Sequence, residues 1–240
     1  MTEIPDKDRL TQHEGHRRRL KKRFVKDGFE NFEPHNILEM ALFYTSPRQD
    51  TNGLAHDLIE RFGSLAAVFD APYDALRDVP GVGDETAIFL KMIPEFARVY
   101  TQSRQSPKAV LLEPEAAVAF FAPRFIGRTN EVFMAAFLNG RGELIGADVF
   151  SEGDDSAVVM DVLAVTRRAI AMNAAAVIVA HNHPHGFAVP SAQDVAMTDK
   201  LAAALNAVGV RLCDHIIFSR EDHIRMSRAK NSQRSYYDYQ

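Results

Sequence analysis

His181 and His183 stand two residues apart, are followed at once by Pro184, and then by Ser191 and Asp194. Residues i and i+2 of an extended chain project to the same side, so the two imidazoles share a face. Pro184 ends the extended segment. Ser191 and Asp194, three apart, open the next helix, and a short loop can fold its first turn back over the imidazoles. Two imidazoles and a carboxylate with a fourth position open make the layout of a catalytic zinc site, whereas structural zinc sites close with four protein ligands. The same donors also suit iron or manganese. Each piece has a plainer reading. A histidine pair can be two satisfied polar groups, and Ser191-x-x-Asp194 is a helix capping box by itself. The coincidence of all of them around a chain-reversing proline favours a metal site with His181, His183 and Asp194 as ligands.

A hydrolytic metal site also needs a base for the proton of its water. Glu131 opens the apolar run EVFMAAF, and a carboxylate at the mouth of a buried strand is costly without a partner. It is the candidate base, against the alternative of a solvated strand-end glutamate. Glu143, Glu152, Asp154 and Asp155 compete, but they fall in turns or mixed segments.

These residues need elements to carry them. Val132–Phe137 is uniformly apolar, as in a strand buried on both faces. Asn139-Gly140-Arg141-Gly142 is turn chemistry, and Glu143–Phe150 then completes a hairpin. Val158–Asn173 reads as a helix with Arg167 and Arg168 outward, and Ala175–Ala180 as a second buried strand running into His181. Ser191–Val208 reads as a helix closed by Gly209, and Val210–Phe218 as an alternating last strand. Strands interleaved with helices predict an α/β (α+β) domain over residues 108–230. Residues 1–107 predict a small all-α domain: helices at His16–Gly28, Ile37–Phe43, Leu54–Phe62, Leu65–Phe69, Tyr73–Arg77 and Thr86–Tyr100. Thr101–Lys108, polar and proline-containing, reads as the linker, and 231–240 as a disordered tail.

Composition bounds the rest. Of 240 residues, 46% are hydrophobic and 25% charged, which excludes a disordered or collagen-like chain. No apolar run reaches the roughly 18 residues of a membrane span. The polar start MTEIPDKDRL is no secretory signal, and one cysteine, Cys213, permits neither an internal disulfide nor a cysteine-ligated zinc. A cytoplasmic protein without a membrane partner is expected. The net charge is −4, split evenly across Pro107, so neither part is a basic domain.

Glu131, His181-Asn182-His183-Pro184, Ser191 and Asp194 resemble the JAMM (JAB/MPN) metalloprotease motif. AMNAAAVIVAHNHPHG and LCDHIIFS are similar to its RadC-like branch. HRRRLKKRF, ILEMALFYTSPRQDTNGLAHDLIERFGSL and VPGVG resemble the N-terminal part of RadC proteins, so the likeness runs from about His13 to Ser227. It implies a cytidine-deaminase-like JAB/MPN fold with one Zn2+ on His181, His183 and Asp194. Glu131 would activate water, Ser191 would stabilise an oxyanion, and a protein or peptide would be the substrate. The Pro-Cys-x-x-Cys ligand pair of deaminases is absent, which disfavours deamination. The chain departs from the family at His185, where a serine is usual, and at Val162-Leu163-Ala164, where Pro-Arg-Glu is usual. His185 reads as an exposed loop residue, with a substrate contact or an extra ligand as alternatives.

A second function class rests on other residues. Pro80-Gly81-Val82-Gly83 between short helices resembles a helix-hairpin-helix, whose glycines (Gly81, Gly83) let backbone N–H groups approach a DNA phosphate. Asp84 and Glu85 follow directly and repel phosphate. Arg17–Arg23 holds six Lys/Arg in seven residues and could track a nucleic-acid backbone or be a solvated helix face. On this reading, residues 16–23 and 80–83 make the chain a DNA-binding accessory protein in repair or recombination.

Overall fold

The computed structural model describes residues 7–47, 50–105, 109–153 and 161–227. The chain separates into two compact units, residues 1–96 and 97–240.

The first unit is helical among its described residues: α1 (Lys7–Asp27), α2 (Pro34–Leu42), α3 (Thr51–Phe62), α4 (Leu65–Asp70), α5 (Tyr73–Arg77) and the start of α6 (Asp84–Ser103). Asp50 caps α3 by accepting from the Asn52 N–H, and Gly63 ends it at φ 88°, a left-handed conformation that glycine adopts without a Cβ penalty. Leu38, Leu42, Leu58, Leu76 and Leu90 are completely buried in one shared core. The expected linker begins later than its composition suggests, because α6 continues through Ser103. The Thr101 and Ser103 hydroxyls donate back to the Ala97 and Tyr100 carbonyls, so polar side chains extend this helix instead of ending it.

The second unit is a mixed α+β domain. Its elements are α7 (Pro114–Phe121) with a short 3-10 turn (Ala122–Phe125), β1 (Glu131–Leu138), β2 (Leu144–Gly153), α8 (Val162–Ala171), β3 (Ala176–Asn182), α9 (Ala192–Ala207), β4 (Arg211–Phe218) and β5 (His223–Arg225). The five strands form one sheet in the order β2-β1-β3-β4-β5. The β1–β2 hairpin is antiparallel, β1 runs antiparallel to β3, and β3 runs parallel to β4. A parallel neighbour requires a crossover, and α9 supplies it. Alternation along β1 sends Val132, Met134, Ala136 and Leu138 to a core shared with Phe120 and Phe121 of α7. Phe133, Ala135 and Phe137 go to a core shared with Val165 and Ala169 of α8 and Leu201 and Leu205 of α9. Helices therefore cover both faces of the sheet.

β4 differs from its expected alternation: Asp214–Phe218 are all buried. The strand lies inside the sheet with both faces covered, so the half-solvated pattern does not apply. The segments 158–160 and 231–240 lie outside the described residues. None of the described helices is long and apolar enough to cross a membrane.

Candidate metal centre

Strand register explains why the chemical residues meet. Phe133 of β1 faces His181 of β3, and His215 of β4 lies one same-face step from Ile217, the parallel partner of His181. His181 and His215 are thus diagonal neighbours on the face that α9 covers. The His183 N–H donates to the Phe218 carbonyl at 2.7 Å, prolonging the β3–β4 ladder one residue past Asn182. Ala192 then starts α9, which returns over this end of the sheet with Ser191 as its N-cap.

The capping box forms and at the same time places the Asp194 carboxylate beside the two imidazoles. The Ser191 N–H and hydroxyl both donate to Asp194 Oδ2 at 2.7 Å, and the Asp194 N–H donates to Ser191 Oγ at 3.1 Å. Oδ2 is occupied by the cap, and Oδ1 lies 3.2 Å from His181 Nε2. His183 Nε2 is 2.9 Å from His181 Nε2 and 3.8 Å from Asp194 Oδ2. One donor atom from each of His181, His183 and Asp194 falls within 4.8 Å of the others, which is close enough to share one ion. Among the described residues this is the only such cluster of three or more. Burial pushes the Asp194 carboxyl upward, but when His181 is protonated its hydrogen bond and charge, together with the bonds from Ser191, outweigh burial and hold it well below the usual carboxylate range. Its place on the first turn of α9 favours the anion further.

The donor chemistry fits a cation. His183 Nδ1 lies 3.0 Å from the Phe187 carbonyl, which can only accept, so the ring proton sits on Nδ1 and the Nε2 lone pair points inward. His181 Nδ1 is engaged on its far side by His215 Nε2 at 2.7 Å. Two imidazole Nε2 atoms 2.9 Å apart, beside an ionised carboxylate, attract a positive charge between them.

Glu131 begins β1, and extending the Phe133–His181 register by one same-face step brings it alongside His183. Glu131 and His183 line one cleft of about 290 Å³ with Asn130, Pro184 and His185. Asn182 ties the base strand to the ligand strand. Buried between the two histidines in sequence, it accepts from the Val132 N–H at 2.7 Å and donates to the Asn130 carbonyl at 3.0 Å, bracketing Glu131. His185 is exposed in the loop.

The sequence reasoning passed over three members of this site: Asn182, Thr198 and His215. His215 is almost completely buried, and burial first, then the charge that a protonated His181 would bring, pushes it down to about 3, so it is neutral. A buried histidine inside the apolar run LCDHIIF was the available signal.

Gly81 and Gly83 belong to the first unit, in the turn between α5 and α6, with Gly81 at φ 93°. Arg77 closes this turn onto the Val82 carbonyl and pairs with Asp84 at 2.6 Å. In the basic run, Arg17 donates to the Ser46 and Pro47 carbonyls, Arg23 donates to the Asn31 carbonyl, and Lys21 lies over Tyr44. Arg18, Arg19 and Lys22 are exposed.

The RadC-like JAB domain family matches residues 111–232, just over half of the chain, and the chain belongs to that family.

Proposed function

We propose that this RadC-like JAB protein is a zinc-dependent hydrolase of the JAMM metallopeptidase type, cleaving an amide bond in a peptide or isopeptide substrate in the cytoplasm. The observation that carries this reading is the convergence of His181, His183 and Asp194, each with a donor atom aimed inward, beside a cleft that holds a carboxylate. His181 Nε2, His183 Nε2 and Asp194 would hold the ion. A bound zinc supplies Lewis acidity, which acidifies water and polarises a carbonyl. Glu131, at the cleft wall, takes the water's proton and returns it to the leaving nitrogen. Ser191 sits at the mouth of α9, where its hydroxyl can turn from Asp194 Oδ2 to the oxygen that gains charge.

The test separates binding from chemistry. Parent, Glu131→Gln and Asp194→Ala proteins are loaded with zinc, assayed for bound metal, and incubated with a proteome-derived peptide and isopeptide library. Parent should bind one zinc and generate new amino termini. Glu131→Gln should keep the metal and lose the products, and Asp194→Ala should lose both. Equal product spectra from parent and Glu131→Gln would overturn the assignment of the base.

The exposed cations Arg18, Arg19 and Lys22 favour a second reading, DNA contact by α1. Gly81 and Gly83 support it less, since Asp84 and Glu85 open α6 where a phosphate would approach. Filter binding at low salt should give a salt slope that falls in an Arg18→Gln, Arg19→Gln, Lys22→Gln variant. No affinity at low salt removes this reading.

A further inference from the structure

The hydrogen bonds beneath His181 run in one direction. Thr198 Oγ1 lies 2.5 Å from the Asp194 backbone carbonyl. Two oxygens that close need a proton between them, and a carbonyl has none to give, so the hydroxyl donates. Its single proton is then spent, and the His215 Nδ1 found 2.6 Å from the same oxygen must be the N–H partner. A neutral imidazole carries one ring proton, so His215 Nε2 presents a lone pair. His181 Nδ1, 2.7 Å away, therefore donates to it. The His181 proton is thus held on Nδ1, and the Nε2 lone pair faces Asp194 and His183. Every member of this chain is buried: Thr198, His215 and His181 are 6%, 1% and 5% exposed, so water does not compete for these bonds.

We propose that Thr198 and His215 are positioning residues that hold His181 in its metal-accepting tautomer, so that zinc affinity depends on a hydroxyl of α9 that contacts no donor atom of the site. The inference rests on His181, His183 and Asp194 forming a zinc site. Buried partners of this kind orient ligating histidines and typically alter metal affinity tenfold to a hundredfold. Breaking the chain at Thr198 leaves the His215 Nδ1–H without an acceptor. His215 then gains by moving its proton to Nε2, where it confronts the His181 Nδ1–H and drives the His181 proton onto the ligating nitrogen.

The test is zinc affinity, measured by competition with a chromophoric chelator on full-length protein, with folding checked by circular dichroism. Thr198→Val keeps the shape and loses the hydroxyl, and Thr198→Ser keeps the hydroxyl and loses a methyl. A packing role predicts that Val is the milder change; a hydrogen-bonding role predicts that Ser is. We expect Val to weaken zinc binding roughly 10–100-fold and Ser to stay within about threefold of parent. His215→Leu should behave like Val, and His215→Gln, whose amide oxygen can accept from His181, should recover most of the affinity. The visible spectrum of bound cobalt should change in the Val and Leu variants and be kept in the Ser and Gln variants. If His215→Leu does not fold, the Thr198 pair decides alone. Parent-like affinity in Thr198→Val, or a larger loss in Ser than in Val, overturns the inference. A parent that binds no zinc, or an Asp194→Ala variant that binds it as well as parent, overturns the zinc site itself.

Discussion

Asn182 sits between the two candidate ligands His181 and His183 in sequence and does different work from either. Its carboxamide takes the place of a ladder neighbour on both sides of Glu131, joining the Val132 N–H and the Asn130 carbonyl to β3. Asn182→Ala leaves the Val132 N–H and the Asn130 carbonyl unpaired, and each unsatisfied group costs about 1–3 kcal/mol. Urea denaturation should show a loss of about 2–4 kcal/mol, and amide exchange at Val132 should accelerate. Asn182→Asp keeps the acceptor for Val132 but turns an oxygen onto the Asn130 carbonyl and buries a charge, so it should lose at least as much. Ser191→Ala removes a cap and should cost about 1 kcal/mol on the same scale. At this scale the clustering of His181, His183 and Asp194 could be read from the order of residues, since they lie on neighbouring stretches of chain. Thr198 and His215 could not. Their partnership spans a crossover and depends on strand register, which composition does not encode.

Among the elements, the buried strands β1 and β3 were readable because uniform apolar runs mark strands covered on both faces. The capping box announced the start of α9, and Gly63 and Gly209, both at positive φ, announced the ends of α3 and α9. α7 and β5 were not readable: one is a short alanine-rich run that opens at Pro114, and the other is three residues long. β5 is held to β4 by side chains as well as by its ladder. Arg225 Nε lies 2.5 Å from the Oδ2 of Asp214, whose Oδ1 also accepts from the Ser227 N–H. Asp214 is buried, so removing its cation strands a charge inside the domain. Arg225→Ala should destabilise the second unit by about 3–5 kcal/mol in chemical denaturation. Arg225→Ala combined with Asp214→Asn should recover part of that loss.

For the whole molecule, the metal-free state carries a pH dependence set by buried groups. His215 is neutral in the fold down to about pH 3, whereas an unfolded histidine titrates near 6.5. Between these values the unfolded chain binds more protons, so stability is full above pH 6.5 and falls as the pH falls. The drop from pH 6.5 to 5 should be about 2 kcal/mol in metal-free parent and largely absent in His215→Gln, read from urea midpoints. Asp194, held low in the fold, adds a further loss below the ordinary carboxylate range, with the same sign. Zinc at a hundred times its dissociation constant should add about 2.7 kcal/mol, and a chelator should remove it. The gain should appear in probes within residues 97–240, because all three proposed ligands lie there.

The β3–α9–β4 crossover has a consequence for what a preparation of this protein contains. All three proposed ligands, the His215 beneath them and the Thr198 that orients it lie between Ala176 and Phe218, on one uninterrupted stretch of chain. The proposed base comes from β1, which precedes that stretch and joins it through Asn182. On the proposed function, metal loading and bond cleavage would therefore be separately losable. On that reading, a copy altered only at Glu131 would purify with its zinc, pass every assay of metal content, and hydrolyse nothing.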